Sequence, residues 1–546
     1  MRFRCKRVND IKRKPTIMLI DLKPVSSTVL QARTDLKVFA EYCFGFKNTW
    51  FHNAWYDTIA DRDIKSGLII APRNSAKSTC WSKVGALWLL GTNPDLRIVI
   101  VSRTSMLAQD DMRFIRLQVE SNDRVREVFP SLIVNDRVTG LEKDSPWGEE
   151  RITVKNNRND GTPSVYATGL GGSISGIRAD IIFVDDLIDQ NNVMTEGQRN
   201  KVEEFWDTVV TPTLNPGGRI FAVGTRYHAK DFYARLLDDP MYRDNTFMFP
   251  ALELNDKGEL VLTPKLDDNG NQMMDEDGAL LTEPISYWPA RWNVNELLKM
   301  KERMGSLAFN SQYMCDPSGY AGQLFDPDNL QFYNPKTLES IWGNLDFVMS
   351  VDPNVTADPE SDNTAIITGA VDRKNGKVYV MDIFAKPLDF VNQVTAMKKY
   401  GNKTSFNVGT HIYEATGRIS KIGVEAVAYQ RSLQQTGYLS GLPVVELKQR
   451  NQNKEIRILG MYPHIENGRV MFPNPHGDIH ISWWDKFLEE YSTFNKGRRD
   501  DMLDGLEMLI SMVSSSFGVS GIPWGPGQEM ENEQRWSRRD GWRPDI

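Results

Sequence analysis

The stretch LIIAPRNSAKST, Leu68 to Thr79, decides how the first half of this chain folds. Its apolar opening, Leu68–Ile70, reads as a buried strand, and the text from Lys77 onward, KSTCWSKVGALWLLG, reads as a helix. The loop between them ends in Lys-Ser. A phosphate-cradling loop is usually written G-x-x-x-x-G-K-[ST], because glycine lets backbone N–H groups close around a phosphate with no Cβ in the way. Here Ala71 and Ala76 stand at the two glycine positions. Alanine is the least obstructive replacement as long as the loop keeps negative φ angles. The loop also ends at a helix N-terminus, where free N–H groups and the helix dipole favour an anion. Lys77 is therefore expected to reach the β and γ phosphates of ATP, and Ser78 to hold Mg²⁺. Arg73, Asn74, Ser75, Ala76 and Thr79 complete the expected cradle, with Arg73 a second cation at its entrance.

Around this loop the text alternates apolar runs, SGLIIAP, LRIVIVSRT, ADIIFVDD and GRIFAVGT, with helical stretches at 77–91, 105–121 and 195–214. Unbroken apolar strands separated by helices imply a mostly parallel sheet covered on both faces. The run IIFVDDLID supplies partners for the loop. A strand-end acid such as Asp185 is placed to hold Mg²⁺, and the next, Asp186, to activate the attacking water. A third strand end, IFAVGTRYH, puts Thr225 and Arg226 where a γ-phosphate sensor would lie. Trp50, Phe51, His52 and Asn53 are candidates for reading adenine, and core packing explains the aromatics equally well. The glycine-rich GLGGSISGIRAD ends at Arg178, which could face a phosphate in its own chain or in a neighbouring one.

At 546 residues the chain is too long for one core. With 40% hydrophobic and 25% charged residues it reads as globular protein. A net charge of -7 gives no global basic field, so nucleic-acid contact must come from local patches. Cys5, Cys43, Cys80 and Cys315 are far apart and show no C-x-x-C spacing, so neither a zinc site nor a disulfide framework is indicated. No run reaches the length of a membrane span and the N-terminus lacks a signal-peptide apolar core, so a soluble intracellular protein is expected. Asp, Gly and Asn crowd the stretch KLDDNGNQMMDEDGALL, which suggests turns or a hairpin, and no internal repeat is evident.

A second α/β region begins at LDFVMSVDPN, turns at DRKNGK and closes with the helix RDDMLDGLEMLISMVSS. Asp352 ends a strand, Glu425 follows a later one, and Asp500, Asp501 and Asp504 crowd the start of the closing helix. Two-metal phosphodiester cleavage needs carboxylates from several elements converging on metals. This order of acids is that of an RNase H-like site.

From about residue 45 to 515 the chain resembles the large terminase subunit of tailed bacteriophages. The residues that carry the resemblance are APRNSAKST, IIFVDDLID, VGTRYH, the long stretch YWPARWNVNELLKMKERMGSLAFNSQYMCDP, then SVDPN, GVEAVAYQ and RRDDMLDGL. It implies an α/β chain: an N-terminal P-loop (RecA/ASCE-like) ATPase domain with a mostly parallel sheet, and a C-terminal RNase H-like nuclease domain. The expected division is a basic arm and helical lead-in at 1–45, the ATPase at 46–245, a linker with a hairpin-like insertion at 246–335, the nuclease at 336–518 and a flexible tail at 519–546. By motif, Arg73, Lys77 and Ser78 bind phosphates and Mg²⁺, Asp185 binds Mg²⁺, Asp186 takes the water-activating place and Thr225 couples hydrolysis to movement. Arg178 is the candidate arginine finger. Asp352, Glu425 and Asp501, with Asp504 on the same helix, would hold two Mg²⁺ or Mn²⁺ ions. The family often has glycine before the Lys, and usually Glu where Asp186 stands. The implied partners are double-stranded DNA, the portal protein of a procapsid, a small terminase subunit and further copies of the chain in a ring, in the host cytoplasm. An ATP-dependent helicase-nuclease would be expected to carry a second RecA-like core, and a non-catalytic DNA-binding scaffold would not be expected to keep Lys77, Ser78 and both acid sets.

Overall fold

The computed structural model describes residues 26–132, 147–158, 160–172, 174, 176–255, 257–267, 270–275, 278–320, 324–353, 363–401, 405–408, 411–414, 419–425, 428–447, 454–475, 481–494 and 499–516. The basic arm up to residue 25 and the tail from 519 lie outside them.

Seven strands form the first sheet: β1 (Ser66–Ile70), β2 (Ile98–Ser102), β3 (Arg151–Ile152), β4 (Val165–Gly169), β5 (Ala179–Asp185), β6 (Leu214–Gly224) and β7 (Thr246–Met248), in the order β3-β4-β2-β5-β6-β1-β7. All its pairings are parallel except β3 with β4. The alternation of strand side chains explains why the runs are apolar throughout. Ile69, Ile181 and Phe183 face one core with Trp81 and Leu87, while Leu68, Ile70, Ile182 and Val184 face another with Trp206 and Tyr233. β6 sits between β1 and β5, pairing Ile70 with Gly224 and Asp185 with Val223. That register brings the ends of all three strands to one edge of the sheet. The helices Ser27–Thr34 and Leu36–Phe44 of the lead-in bury Val29, Phe39 and Cys43 in the same core as Trp81.

The Asp/Gly-rich stretch is a branched hairpin whose stem pairs β8 (Leu262–Pro264) with β9 (Thr282–Pro284). Its turns repeat, which the sequence reading did not find. Asn255, Asp267 and Asp275 each accept from a glycine N–H three residues on, and Gly258, Gly270 and Gly278 all take φ near +80°. The shared signature is four residues, an Asx, an acid, any residue and a glycine, too short to stand out as a repeat in composition. Beyond it the helix Val294–Gln312 breaks at Gly305, φ 78° and ψ 161°. There Pro463 packs against the kink, and the Glu466 carboxylate accepts from the Ser306 backbone N–H at 2.9 Å and from its hydroxyl.

The second sheet contains β10 (Gln331–Tyr333), β11 (Leu345–Asp352), β12 (Thr364–Asp372) and β13 (Val378–Lys386). After the hairpin β14 (Ser405–Val408) and β15 (His411–Glu414) come β16 (Lys421–Glu425), β17 (Val444–Leu447) and β18 (Val470–Pro473). The order is β10-β18-β13-β12-β11-β16-β17, with β12 antiparallel to both β11 and β13, and β16 parallel to β11 as β18 is to β13. The turn between β12 and β13 closes on Gly376 N–H to Asp372 carbonyl, at the DRKNGK read as a hairpin. The closing helix Asp501–Ser516 lies on β11 and β12, where the Ser350 hydroxyl donates to the Gly505 carbonyl at 2.7 Å. Among the described residues no helix is long and apolar enough to cross a membrane.

Gly224 ends β6 directly under the Tyr233 ring, and a Cβ there would overlap it. The Tyr233 hydroxyl donates to the Val223 carbonyl and accepts from the Leu187 N–H, so the ring cannot simply move aside. Gly224→Ala is expected to cost at least about 1–3 kcal/mol of stability, the range for overpacking; a denaturant-unfolding midpoint equal to that of the unchanged chain would count against this packing account.

Candidate active sites

The parallel register gathers the first set of residues at the C-terminal edge of the first sheet. A cleft of about 350 Å³ opens there, lined by the loop Arg73–Thr79 and by Lys83, Asp111, Asp185 and Asp186. Lys77 is only 4% exposed, and its ammonium donates to Thr225 Oγ1 at 3.2 Å and lies 3.9 Å from Asp186 Oδ1. The Ser78 hydroxyl donates to Asp185 Oδ1 at 2.7 Å. Arg73 donates to the Tyr227 hydroxyl at 2.7 Å and so stands at the mouth of the cleft. Helix begins immediately behind the loop, as a π-helical stretch Thr79–Gly85 continued by the α-helix Ala86–Thr92.

One expectation about this loop fails. Its φ angles do not stay negative: Asn74 takes +58° and Ala76 +63°. Asn tolerates the left-handed region, while alanine pays about 1–2 kcal/mol for it. The cradle keeps its shape because flanking strand and helix hold both ends, not because the residue favours it. Asp186 is also left-handed, at +43°.

Burial raises the Asp185 carboxyl above its ordinary range and the neighbouring Asp186 charge raises it further, against hydrogen bonds from Asp111 and Ser78. Asp111 itself is pushed well up by burial and by Asp185, with Lys83, 3.4 Å away, opposing. The sequence reading missed both Asp111 and Lys83. The available signal was an acid lying on the buried face formed by Ala108, Met112, Ile115 and Val119. For Mg²⁺, the Ser78 hydroxyl and Asp185 carboxylate offer two hard oxygen ligands, and nucleotide phosphate and water would complete the shell. Asp186 Oδ1 is buried without a hydrogen-bond partner and faces the same cleft, so the donor set fits.

Other candidates fall elsewhere. Arg226 is buried in an ion pair with Asp231 at 2.9 Å and braces its own loop. Arg178 precedes β5, seven residues before Asp185 and hence about 23 Å back along the strand; there it donates to the Pro212 carbonyl. In its own chain it does not reach the cleft. Phe51 and His52 are core residues behind the loop, His52 Nε2 lying 3.3 Å from the Ser75 carbonyl, and Trp50 is 65% exposed.

In the second sheet Asp352 ends β11, and β16 ends at Glu425, whose side chain lies outside the described residues. The closing helix does not present Asp501 as expected. Asp501 is 2% exposed and accepts from the Asn363 backbone N–H at 2.8 Å and its side-chain amide at 3.0 Å. Asp500 and Asp504, four residues apart and so on one side of the helix, turn to Lys454 at 2.8 and 3.3 Å, and Asp504 also meets Arg457 at 3.2 Å. Burial would pull the Lys454 ammonium down, but Asp504, Asp500 and Asp352 hold it above its ordinary value, so Asp352 shares this cluster. Among the described residues, which do not include the Glu425 side chain, no group of three or more His, Cys, Asp or Glu is set to hold a metal.

The chain thus joins a mostly parallel sheet, in which one strand separates the loop strand from the acid strand, to a second, mixed sheet. Residues 349–513 match the family model of the terminase RNaseH-like domain, so the second sheet and its helices form such a domain. The chain is 28% identical over 271 residues to the large terminase subunit of Enterobacteria phage T3, a match over 48% of this chain and 42% of that protein's length; it thus spans under half of that curated relative. Among solved structures it is similar to the large terminase of a thermophilic bacteriophage in complex with ADP, at 11% identity, 90% of this chain, 100% of that one and a TM-score of 0.39. It is also similar to the HK97 bacteriophage large terminase, at 11% identity, 88% and 99% coverage and a TM-score of 0.32.

Two outcomes test the first site's geometry. Ala76→Gly relieves the left-handed alanine at some entropic cost to the folded state, and is expected to raise stability by about 0.5–1 kcal/mol net in denaturant unfolding. His52 is held neutral by burial, its pKa lowered to about 4. The unfolded chain protonates this group near pH 6.5 and the folded chain does not, so stability should fall as pH drops from about 6.5 toward 4. His52→Gln should flatten that slope by up to about 1.4 kcal/mol per pH unit in urea titrations run between pH 7 and 5.

Proposed function

We propose that this chain is the ATP-driven, DNA-cutting large subunit of a viral packaging motor. The observation that carries the reading is the meeting of Lys77, Ser78, Asp185 and Thr225 at one sheet edge, in the same chain as a terminase RNaseH-like domain. ATP is the proposed substrate of the first site. Lys77 would neutralise its phosphates, and the loop N–H groups would cradle them. Mg²⁺, held by Ser78 and Asp185, would supply charge stabilisation for the phosphoryl oxygens. Asp186, beside Lys77, would accept the proton of the attacking water. Thr225, hydrogen-bonded to Lys77, would report the γ-phosphate to β6 and to the helix behind it.

The second site is proposed to cleave double-stranded DNA without sequence preference, since contacts to phosphate carry no sequence information. Asp352, Glu425 and the side of the closing helix that carries Asp500 and Asp504 are its proposed acids. The mixed second sheet supports this reading over a helicase-nuclease, which would need another ATPase core there. Partners proposed with it are the procapsid portal, a small terminase subunit and a ring of like chains, in the host cytoplasm. Arg178 remains a proposed finger only between chains. The domain limits near 245, 335 and 518 are proposed with it, while burial of the lead-in helices supports a first domain that starts before residue 46.

ATPase and plasmid-cleavage assays of purified variants test this. Lys77→Ala is expected to abolish ATP hydrolysis and leave nicking largely intact, and Asp352→Ala to do the reverse. Removing Asp186 as Asp186→Asn should slow hydrolysis at least ~100-fold with ATP still bound. On the closing helix, Asp504→Asn should lose cleavage. Asp501→Asn, which keeps a hydrogen-bond acceptor for Asn363, should cut at near-normal rate; the opposite ranking would return the role to Asp501.

A further inference from the structure

The branched hairpin presents its apolar face to solvent. Alternate residues of a strand share a face, and paired residues stand side by side on it. Leu254 lies opposite Leu260, Leu262 opposite Pro284 and Met274 opposite Leu280, while Leu260, Leu262, Pro264 and Leu266 alternate along one strand. The register therefore puts Leu254, Leu260, Leu262, Leu266, Met274 and Leu280 on one face, where they are 39–61% exposed. On the opposite face Val261, Thr263, Lys265 and Leu281 are half-buried. A solvated side of a sheet normally carries polar residues, so the pattern here is reversed.

The hairpin is a built element. At one branch point Val261 N–H donates to the Glu253 carbonyl, Ile285 N–H to Val261 and Glu253 N–H to Ile285, a ring of three backbone bonds. Lys265, Leu281 and Met273 close a second such ring. Leu252 and Tyr287 root the stem in the first core. Single exposed leucines are ordinary, but six on one face of a well-formed element mark a docking surface. Its charge narrows the occupant. Residues 253–283 hold nine acids against two lysines, as much net negative charge as the -7 of the entire chain.

We propose that this face is covered by the chain's own N-terminal arm, residues 1–25. The arm lies outside the described residues, and its sequence is the complement: eight Lys and Arg against two Asp, with the apolar run Ile17, Met18, Leu19, Ile20 in its second half. The tail from 519, with five acids against four arginines, offers no such match. Twenty-five extended residues span up to about 80–90 Å, so reach does not limit the contact, and a tethered segment meets its site at an effective concentration of about millimolar. The leucine face takes the apolar run and the acids take the cations. While docked, those cations are neutralised and add nothing to the field that would draw DNA. Neither active site takes part in this contact.

Zero-length carbodiimide cross-linking of the full chain tests this, with the monomer band digested and read by mass spectrometry. Links from Lys6, Lys12 or Lys14 to Glu259, Asp267, Asp275 or Glu283 are expected within one chain. Their yield should fall at least ~10-fold in Leu262→Ser/Leu266→Ser/Leu280→Ser, which leaves every charge in place but removes most of the apolar contact. Ile17→Ser/Leu19→Ser, on the arm, should do the same with the hairpin untouched. Circular dichroism and the unfolding midpoint establish that the variants are folded. Undiminished links in both variants would reduce the contact to charge attraction and overturn the proposal. Links found only between two chains would overturn it in favour of a second copy. An arm that forms no such link, and resists trypsin only when DNA is added, would be a DNA-binding segment, and the proposal would fall.

Discussion

Everything at the first site depends on the parallel pairing of β6 between β1 and β5. Parallel strands end on the same side, so three segments far apart in sequence, ending at Ile70, Asp185 and Gly224, deliver their next residues to one edge. The pairing is held by the two cores that sandwich the sheet, and buried strands of this kind cannot slip by one residue without sending Leu68, Ile69 and Ile70 to the wrong faces. Rigid register is what allows a hydroxyl and a carboxylate 107 residues apart to sit 2.7 Å from each other. It also holds Ala76 at a φ that an isolated alanine would leave.

The same edge is also tied by hydrogen bonds to a helix that reaches the second sheet. The helix Val294–Gln312 runs from one to the other, its Ser311 hydroxyl donating to the Arg226 carbonyl, one residue past Thr225, at 2.6 Å. Five residues earlier, Ser306 is held by Glu466 beside the second sheet. Gly305 makes the bend immediately before the Ser306 attachment, and only a glycine takes φ 78° with ψ 161° comfortably.

At the second site the governing constraint is electrostatic. Carboxylates gathered on a strand end and a helix start repel one another, and a protein can relieve this with bound ions or with its own cations. Here Lys454 and Arg457 do part of that work, from a short helix that no acid-counting reading of the chain would connect to Asp504. The buried Asp501 is answered differently, by two N–H groups of Asn363, so adjacent aspartates on one helix have separate roles.

Local chemistry in the sequence determined the strands, the loop between β1 and its helix, the strand-end acids and the β12–β13 turn, because each is set by apolar runs and turn residues a few positions apart. The resemblance placed the RNase H-like domain in the same way, from short motifs in order. Tertiary structure alone decided which side chains face each other. Asp111 and Lys83 joined Asp185 because a helix packs across the sheet edge. Asp504 turned to Lys454 and Arg457 while Asp501 was taken up by Asn363, because the helix packs on β11 and β12. Arg226 was taken up by Asp231 in its own loop, and the aromatic pair Phe51 and His52 went into packing because Trp288, which packs on both, lies on a distant segment. Rotation of a helix about its axis is fixed by what it packs against, and that information is spread over the whole chain.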